Sequence, residues 1–269
     1  MFRSFYRFQK HDDRQLEEAV LNWKGVFFML LVVVLQQVLA EALSYGFSYT
    51  NTYYGTNFGN MELNLFLDLG TLAMMVFFFG RFYWENLKRL FKEFKAVYLW
   101  APIACYLTAM MGSYVVQILL FLIRGEIQDT SNNEMVTDML MEYPWQLLLL
   151  TVFVAPITEE SIFRAALCRS MTSHKNIAVN IIGCVLSVSL FALMHVYQFA
   201  FFATDASGMT YLTFNANEFL SILTYIPMAA AFVACSYLCK NYWGSVVCHM
   251  ITNGVAVGMM LLSSLLKTL

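Results

Sequence analysis

The sequence contains few charged residues. Only 13% of its 269 residues are Asp, Glu, Lys or Arg, about half the fraction found in an ordinary soluble domain. The formal net charge is −2, so the concentrated excess of Lys and Arg that is typical of nucleic-acid-binding proteins is missing. Hydrophobic residues make up 59% of the chain, and no polar block is large enough to enclose a core of its own. The composition therefore predicts a single membrane domain with no nucleic-acid partner.

The sequence also lacks cysteine motifs. Its six cysteines lie nearly all in apolar stretches without C-x-x-C spacing, at Cys105, Cys168, Cys184, Cys235, Cys239 and Cys248. This pattern indicates neither a disulfide framework nor a zinc knuckle. We interpret these cysteines as small apolar side chains of the interior.

Long apolar runs dominate what is present. A transmembrane helix needs about 20 mostly apolar residues. Seven candidate runs are found, at residues 26–47, 63–79, 97–123, 145–166, 177–202, 219–238 and 244–266. The sequence thus predicts an all-α fold, a polytopic membrane bundle of about seven transmembrane helices.

The basic residues lie mostly on one side of these spans. If the N-terminus is cytoplasmic, all 16 Lys and Arg residues except Arg124 and Lys267 fall in or beside cytoplasmic loops. Cytoplasmic loops of membrane proteins carry such an excess of positive charge. We therefore predict an integral protein of the cell (plasma) membrane with a cytoplasmic N-terminus.

The spans divide the chain into parts. Residues 1–24 form a cytoplasmic N-terminal segment, residues 25–144 contain three spans, and residues 145–269 contain the other four. Aromatic and leucine residues lie among basic ones near 81–95, as expected for a helix at the membrane interface. A cleaved signal peptide is the alternative for the first span, but its spanning length and the acidic residues before it favour a retained span.

Charged residues inside a span are energetically costly and therefore indicate a functional site. The fourth span contains Glu159, Glu160 and Arg164, preceded by Pro156. On a helix Glu160 and Arg164 are four residues apart and can pair, whereas Glu159 points about 100° away. Two close carboxylates in a poor solvent differ in proton affinity, so one can act as a general base. Pro156 should bend the helix and free a backbone carbonyl where water can be held.

Two histidines lie in later spans. His195 follows Phe191 in the fifth span, and His249 precedes Asn253 by four residues in the seventh. The imidazole of His249 and the amide of Asn253 then face the same way and can jointly hold a substrate oxygen or a water. A single intramembrane histidine more often makes an interhelical hydrogen bond, but the three clusters together fit a functional site better.

The three clusters, in this order, resemble the motifs of the CPBP family, the CAAX-protease and bacteriocin-processing membrane proteins also called the Abi family. The matches are EExxxR at Glu159, Glu160 and Arg164, FxxxH at Phe191 and His195, and HxxxN at His249 and Asn253. The resemblance implies that residues 145–269 are a catalytic membrane core. It further implies an intramembrane endopeptidase that hydrolyses a peptide bond of a membrane-associated protein or peptide, in CAAX-type, pheromone or bacteriocin-leader processing.

The resemblance also implies a role for each motif residue. Glu159 and His195 would activate a water, while His249 and Asn253 would stabilise the oxyanion. This division is chemically sound, since a carboxylate with an imidazole is a competent base and the other two side chains can donate hydrogen bonds. The residues that would orient the site are Glu160, Arg164 and Phe191.

No cofactor is assigned from the sequence. A divalent metal such as zinc is an alternative, with Glu159, His195 and His249 as its ligands. These residues lie singly on three helices, however, without the HExxH pattern that places two histidines on one helical face. We therefore favour a metal-free site and leave metal dependence open.

The depth of the fifth span presents a conflict. At 1.5 Å per residue, Glu159 lies about 15 Å from the cytoplasmic end of its span, whereas His195 lies about 30 Å from Lys175. For His195 to meet Glu159, its helix must start below the membrane surface, tilt strongly, or be broken near Gly183.

Two other functions remain open. A non-catalytic membrane scaffold or regulator of the same family would keep the motifs for folding. A proton-coupled transporter would use Glu159, Glu160 and Asp68 as a relay, although no inverted repeat is recognisable. Otherwise we expect Asp68 to form a hydrogen bond between helices. The expected partners are the lipid bilayer and a membrane-associated peptide or protein substrate.

Overall fold

The protein is a bundle of long apolar helices. The structure, a computed structural model, describes residues 5–9, 18–56, 58–92, 94–126, 129–172, 176–196, 199–204 and 209–268. In this part of the chain, seven helices are long and apolar enough to cross a membrane. They are α1 (Trp23–Tyr54), α2 (Asn60–Lys92), α3 (Val97–Arg124), α5 (Pro144–Arg169), α6 (Ile177–Met194), α7 (Ala216–Cys239) and α8 (Tyr242–Thr268), and a shorter helix, α4 (Ser131–Glu142), precedes α5. The predicted all-α membrane bundle is confirmed, and the chain is an integral membrane protein.

Two short strands precede α1. Strands β1 (Tyr6–Gln9) and β2 (Glu18–Leu21) pair antiparallel. They pack against α2, where Asn86 Nδ2 donates a hydrogen bond of 3.2 Å to the carbonyl of Ala19. No strand was predicted for the N-terminal segment, and residues 10–17 of it lie outside the described residues. The hairpin covers the ends of the helices where the basic residues of α2 lie.

Helix α2 is longer than the sequence predicts. It continues without interruption from Asn60 to Lys92, so residues 81–92 are its last turns. Residues 81–92 of the segment expected at the membrane interface are therefore helical and continuous with α2, and residue 93 lies outside the described residues. A helix of 33 residues is about 50 Å long, which exceeds the apolar thickness of a bilayer and leaves the basic end outside it.

Helix α5 alternates between α-helical and π-helical turns. Leu150–Val154 and Ser161–Arg169 are π-helical, and Ala155–Glu160 between them is α-helical. In the first π segment the Ala155 N–H donates to the carbonyl of Leu150, five residues earlier. Continuing this pattern would require an N–H at Pro156, which has none. The carbonyl of Thr151 is thereby available to another donor.

Helix α6 is shorter than predicted and begins beyond the level at which α5 ends. It ends at Met194, so the expected span of 177–202 is wrong at its end, and strands β3 (Ala200–Thr204) and β4 (Thr210–Phe214) form a hairpin beyond it. The helix is unbroken at Gly183, where an added Cβ would lie only 2.7 Å from the Cβ of Met171.

This close contact resolves the conflict in depth. Gly183 lies at the same height in the bundle as Met171, just after the end of α5. The six residues of α6 before Gly183 therefore extend about 9 Å beyond the end of α5, away from the bundle. Of the three alternatives, the structure therefore fits a helix α6 that starts outside the level where α5 ends. This start brings His195 beside Glu159.

Candidate active site

The three predicted motifs meet at one point inside the bundle. Glu159 Oε2 lies 3.9 Å from His249 Nε2 and 4.0 Å from His195 Nε2. This carboxylate oxygen is buried and accepts no hydrogen bond from the described residues. Helices α5, α6 and α8 thus bring an unpartnered carboxylate oxygen towards two imidazoles.

The second carboxylate has a different environment. Glu160 Oε1 lies 2.9 Å from Arg164 Nη1, and both side chains are completely buried. The guanidinium also donates to the carbonyl of Ala229 at 3.2 Å. Its carbon lies 4.3 Å from the centre of the Phe191 ring and 5.0 Å from that of Phe232. The pairing predicted from the four-residue spacing is present, and aromatic faces stabilise the buried cation.

Glu160 also orients His249. The Nδ1 atom of His249 lies 3.0 Å from Glu160 Oε1 and donates to this carboxylate. Because Nδ1 carries a proton, Nε2 is directed towards Glu159 and becomes a second donor when the ring is protonated.

His195 is oriented by a backbone carbonyl. Its Nδ1 lies 2.8 Å from the carbonyl of Phe191 and donates to it, so Nε2 of the neutral ring is an acceptor. The ring of Phe191 lies 4.5 Å from that of His195 and is almost fully buried. Phe191 therefore places His195 through its carbonyl and supports Arg164 through its ring.

The gap between His195 and Glu159 suits a water molecule. Both facing atoms are acceptors, so they do not hydrogen-bond each other directly. A separation of 4.0 Å is spanned by one water that donates to both atoms at about 2.8 Å. The arrangement can therefore bind a water and take a proton from it.

Asn253 has a backbone partner that the sequence did not reveal. Its Nδ2 donates to the carbonyl of Thr151 at 2.8 Å, where the π-helical turn before Pro156 leaves that carbonyl available. The freed carbonyl was expected to hold water, and a side chain binds it instead. The amide carries a second N–H, and Asn253 lines the same cavity as His249, so this second donor can face a ligand.

Two aromatic residues of α7 complete the site, and sequence reasoning missed both. Phe232 stacks on His249 with ring centres 4.4 Å apart, and Tyr225 lies 4.7 Å from His195. The available signal was their spacing of seven residues, which places both on one face of a helix. The hydroxyl of Tyr225 in turn bonds Thr130 Oγ1 at 2.8 Å, at the start of α4.

A cavity of about 380 Å³ leads away from these side chains. Its walls come from α2, α4, α5, α6, α7 and α8 and include Met61, Asn64, Asp68, Asn132, Met135, Met139, Thr151, Tyr225, Met228, Asn253 and Met260. Asp68 faces this cavity and has no hydrogen-bond partner among the described residues, so the interhelical bond expected for it is not found. The volume is in the range of pockets for small ligands or a few peptide residues.

The distances from Glu159 to His195 and His249 also show whether these residues could bind a metal ion together. Among the described residues, no group of three His, Cys, Asp or Glu side chains is arranged to hold a metal ion. Tetrahedral zinc with bonds of about 2.0–2.1 Å would bring an oxygen and a nitrogen ligand within about 3.3 Å of each other. The separations here are 3.9 and 4.0 Å, so the residues as placed do not fit tetrahedral zinc.

Comparison with known proteins shows which family this part of the chain resembles. Residues 141–255 match the family model described as type II CAAX prenyl endopeptidase Rce1-like. The matched stretch contains all three motifs, from Glu159 to Asn253. No curated protein and no solved structure matches the chain. Residues 141–255 are therefore similar to the Rce1-like, type II CAAX prenyl endopeptidase family, and this match confirms the resemblance predicted from the motifs.

Proposed function

We propose that the protein is an intramembrane endopeptidase that hydrolyses a peptide bond of a membrane-associated protein or peptide with a water activated by Glu159 and His195. One observation carries the proposal. In the wall of the cavity, the unpartnered Oε2 of Glu159 lies within 4.0 Å of both imidazole Nε2 atoms. A buried carboxylate without a donor is unfavourable for stability, and a catalytic base accounts for it.

The first step is attack by water. The water donates one hydrogen bond to Glu159 Oε2 and the other to His195 Nε2. As its oxygen forms a bond to the peptide carbonyl carbon, one proton moves to Glu159 and the carbonyl oxygen becomes negative. His195 holds the remaining hydrogen and so directs the oxygen lone pair at the carbon.

The second step needs donors for the negative oxygen and a proton for the amine. Both His249 and Asn253 line the cavity, so Nε2 of His249, which donates when the ring carries both protons, and the second N–H of Asn253 can stabilise the oxyanion. When the carbon–nitrogen bond breaks, the proton held by Glu159 passes to the leaving amine. Water is consumed, a carboxylic acid and an amine are produced, and Glu159 returns to its starting state.

Glu160, Arg164 and Phe191 act as positioning residues. Glu160 sets the tautomer of His249, and Phe191 sets that of His195. Arg164 balances the charge of Glu160 at 2.9 Å, so that Glu159 is the carboxylate available to the water. No step is assigned to a metal, because the placed residues do not fit tetrahedral zinc.

The experiment is peptide hydrolysis by the purified protein in detergent. A pool of quenched fluorogenic peptides, with and without a prenylated CAAX terminus, serves as the probe. We expect turnover by the wild type, and Glu159→Gln should abolish it because an amide cannot take the proton. Glu41→Gln is the matched control, since Glu41 is an exposed residue of α1 outside the site.

Three results would contradict the proposal. Equal turnover by Glu159→Gln and the wild type would remove Glu159 from the chemistry. No turnover of any peptide by folded wild-type protein would favour the non-catalytic scaffold. Proton-coupled uptake by reconstituted vesicles without hydrolysis would favour the transporter.

A further inference from the structure

The bundle has two chemically different ends. At one end, here called the basic end, lie the start of α1 with Lys24, the last turns of α2 with Lys92, and the ends of α5 and α7 with Arg169 and Lys240. At the other end, here called the α4 end, lie helix α4, the start of α2 and the start of α5. Successive spans alternate in direction, so the chain order alone fixes this division.

The cavity runs from the catalytic side chains to the α4 end. On α8, which starts at the basic end, its lining extends from His249 to Met260, a distance of about 16 Å along the helix. On α2, which starts at the α4 end, the lining residues Met61 and Asn64 belong to the first turns. On α4 itself, Met135 is both exposed and part of the wall.

Packed side chains close the route to the basic end. Beyond Glu159 lies the completely buried Glu160–Arg164 pair. Further on, Ser161 Oγ makes hydrogen bonds of 2.9 Å with Tyr83 and 3.0 Å with Tyr242, both fully packed. The N-terminal hairpin then covers an aromatic cluster that includes the rings of these two tyrosines. A peptide could reach Glu159 from this end only by displacing a packed core.

We infer that the site is supplied from the extracytoplasmic side, so that its substrate is a short extended segment exposed on that face of the membrane. The inference rests on the proposed function and combines two observations. Basic loops of membrane proteins remain in the cytoplasm, which places the basic end there. The cavity lining extends to the opposite end, up to the exposed Met135 of α4, where a cytosolic prenylated C-terminus would not reach it.

The cavity wall indicates which segment would fit. Five methionines contribute to it: Met61, Met135, Met139, Met228 and Met260. Unbranched, polarizable side chains of this kind adapt to apolar groups of different shape. Asp68 and Asn64 add a polar side to the wall between the mouth and Glu159. The best-fitting substrate is therefore the end of an apolar peptide or membrane helix, with a few residues unwound in the cavity.

Cysteine labelling in intact cells tests the side of access. Five of the six native cysteines are buried and Cys184 is half-buried, so the wild type supplies the background. Met135→Cys reports the mouth of the cavity, and Lys92→Cys is the control at the basic end, where the native side chain is exposed. Cells are treated with a membrane-impermeant maleimide before or after permeabilisation.

The inference predicts opposite patterns for the two variants. Met135→Cys should be labelled in intact cells at least about tenfold above the wild type, and Lys92→Cys only after permeabilisation. Labelling of Lys92→Cys in intact cells, or of Met135→Cys only after permeabilisation, would overturn the inference. Neither result depends on hydrolysis, so this failure is distinct from failure of the proposed function.

A second measurement connects the mouth with catalysis. Each variant is compared with itself before and after reaction with a bulky maleimide in detergent. Turnover by Met135→Cys should fall at least about tenfold on modification, because the adduct fills a mouth of a cavity of only about 380 Å³. Turnover by Lys92→Cys should stay unchanged. Undiminished turnover by fully modified Met135→Cys would refute access through this mouth.

Discussion

The buried pair of Glu160 and Arg164 offers the sharpest test of how the site is held together. In Arg164→Met the flexible apolar side chain keeps much of the volume but removes the charge 2.9 Å from Glu160 Oε1. Removal of one member of a buried ion pair destabilises a protein by about 3–5 kcal/mol, because the other charge is left without compensation. His249 still contacts the same oxygen at 3.0 Å, so we expect the lower end of this range.

A loss of about 3 kcal/mol reduces the ratio of folded to unfolded protein on the order of 100-fold. Arg81→Met is the matched control, because Arg81 forms a pair of the same spacing with Glu85 at 3.9 Å on the exposed surface. Exposed pairs of this kind contribute about 1 kcal/mol or less. The buried variant should therefore lose at least about three times as much stability as the exposed one.

The double variant Arg164→Met with Glu160→Gln separates charge from packing. It has no uncompensated charge, so it should recover most of the stability that Arg164→Met loses. It should not recover turnover, because His249 has lost the carboxylate that sets its tautomer. Losses that simply add in the double variant would refute the charge-based account.

The assay uses the cysteines that the fold buries. A thiol-reactive fluorogenic dye reports thermal unfolding in detergent, since five of the six free cysteines are protected in the folded protein. Turnover is measured on the same preparations. If Arg164→Met unfolds at the same temperature as Arg81→Met, the pair contributes nothing beyond a surface contact and the reasoning fails.

Three further predictions concern catalysis. Glu159→Gln and His195→Ala should each remove nearly all turnover, and the double variant should be hardly worse than either, because both bind one water; additive losses would contradict a shared role. Asn253→Ala should lower kcat by a factor on the order of 100 to 1,000, the effect of one oxyanion donor, with KM little changed; a change confined to KM would assign it to substrate binding. Chelator treatment followed by zinc should leave turnover of the wild type unchanged, whereas loss and recovery of activity would favour the alternative in which Glu159, His195 and His249 bind a metal.

The number and order of the spans could be predicted because each span is an apolar run of the required length. Their ends could not. Residues 199–202 are as apolar as those before Met194, yet the chain leaves the helix at His195 and forms a hairpin. Hydropathy measures transfer to an apolar environment and does not register where a helix stops.

The motif residues were found because charge is rare in this sequence, and their partners were harder to find. Glu160 and Arg164 are neighbours on one helix, so simple spacing predicted their pair. The bond from Asn253 to Thr151 depends on a π-helical turn, which no periodicity reveals. Tyr225 and Phe232 were missed because an aromatic residue in a span can face lipid as well as the interior of the bundle.

The charge balance of the site has a consequence for how the protein enters the membrane. Helix α5 is the least apolar of the seven candidate spans, and each ionised residue at mid-membrane opposes insertion by about 2.5–3.5 kcal/mol. Glu160 and Arg164 can neutralise each other within α5 alone, but Glu159 faces His249, which is synthesised about 90 residues later. During synthesis α5 therefore inserts into the membrane inefficiently. It is stabilised there only after α7 and α8 have been synthesised and pack against it. In a protein truncated before α8, the charge of Glu159 on α5 would have no partner, and membrane quality control should degrade the protein. Truncation would therefore lower the amount of protein, in addition to removing the catalytic residues of α8.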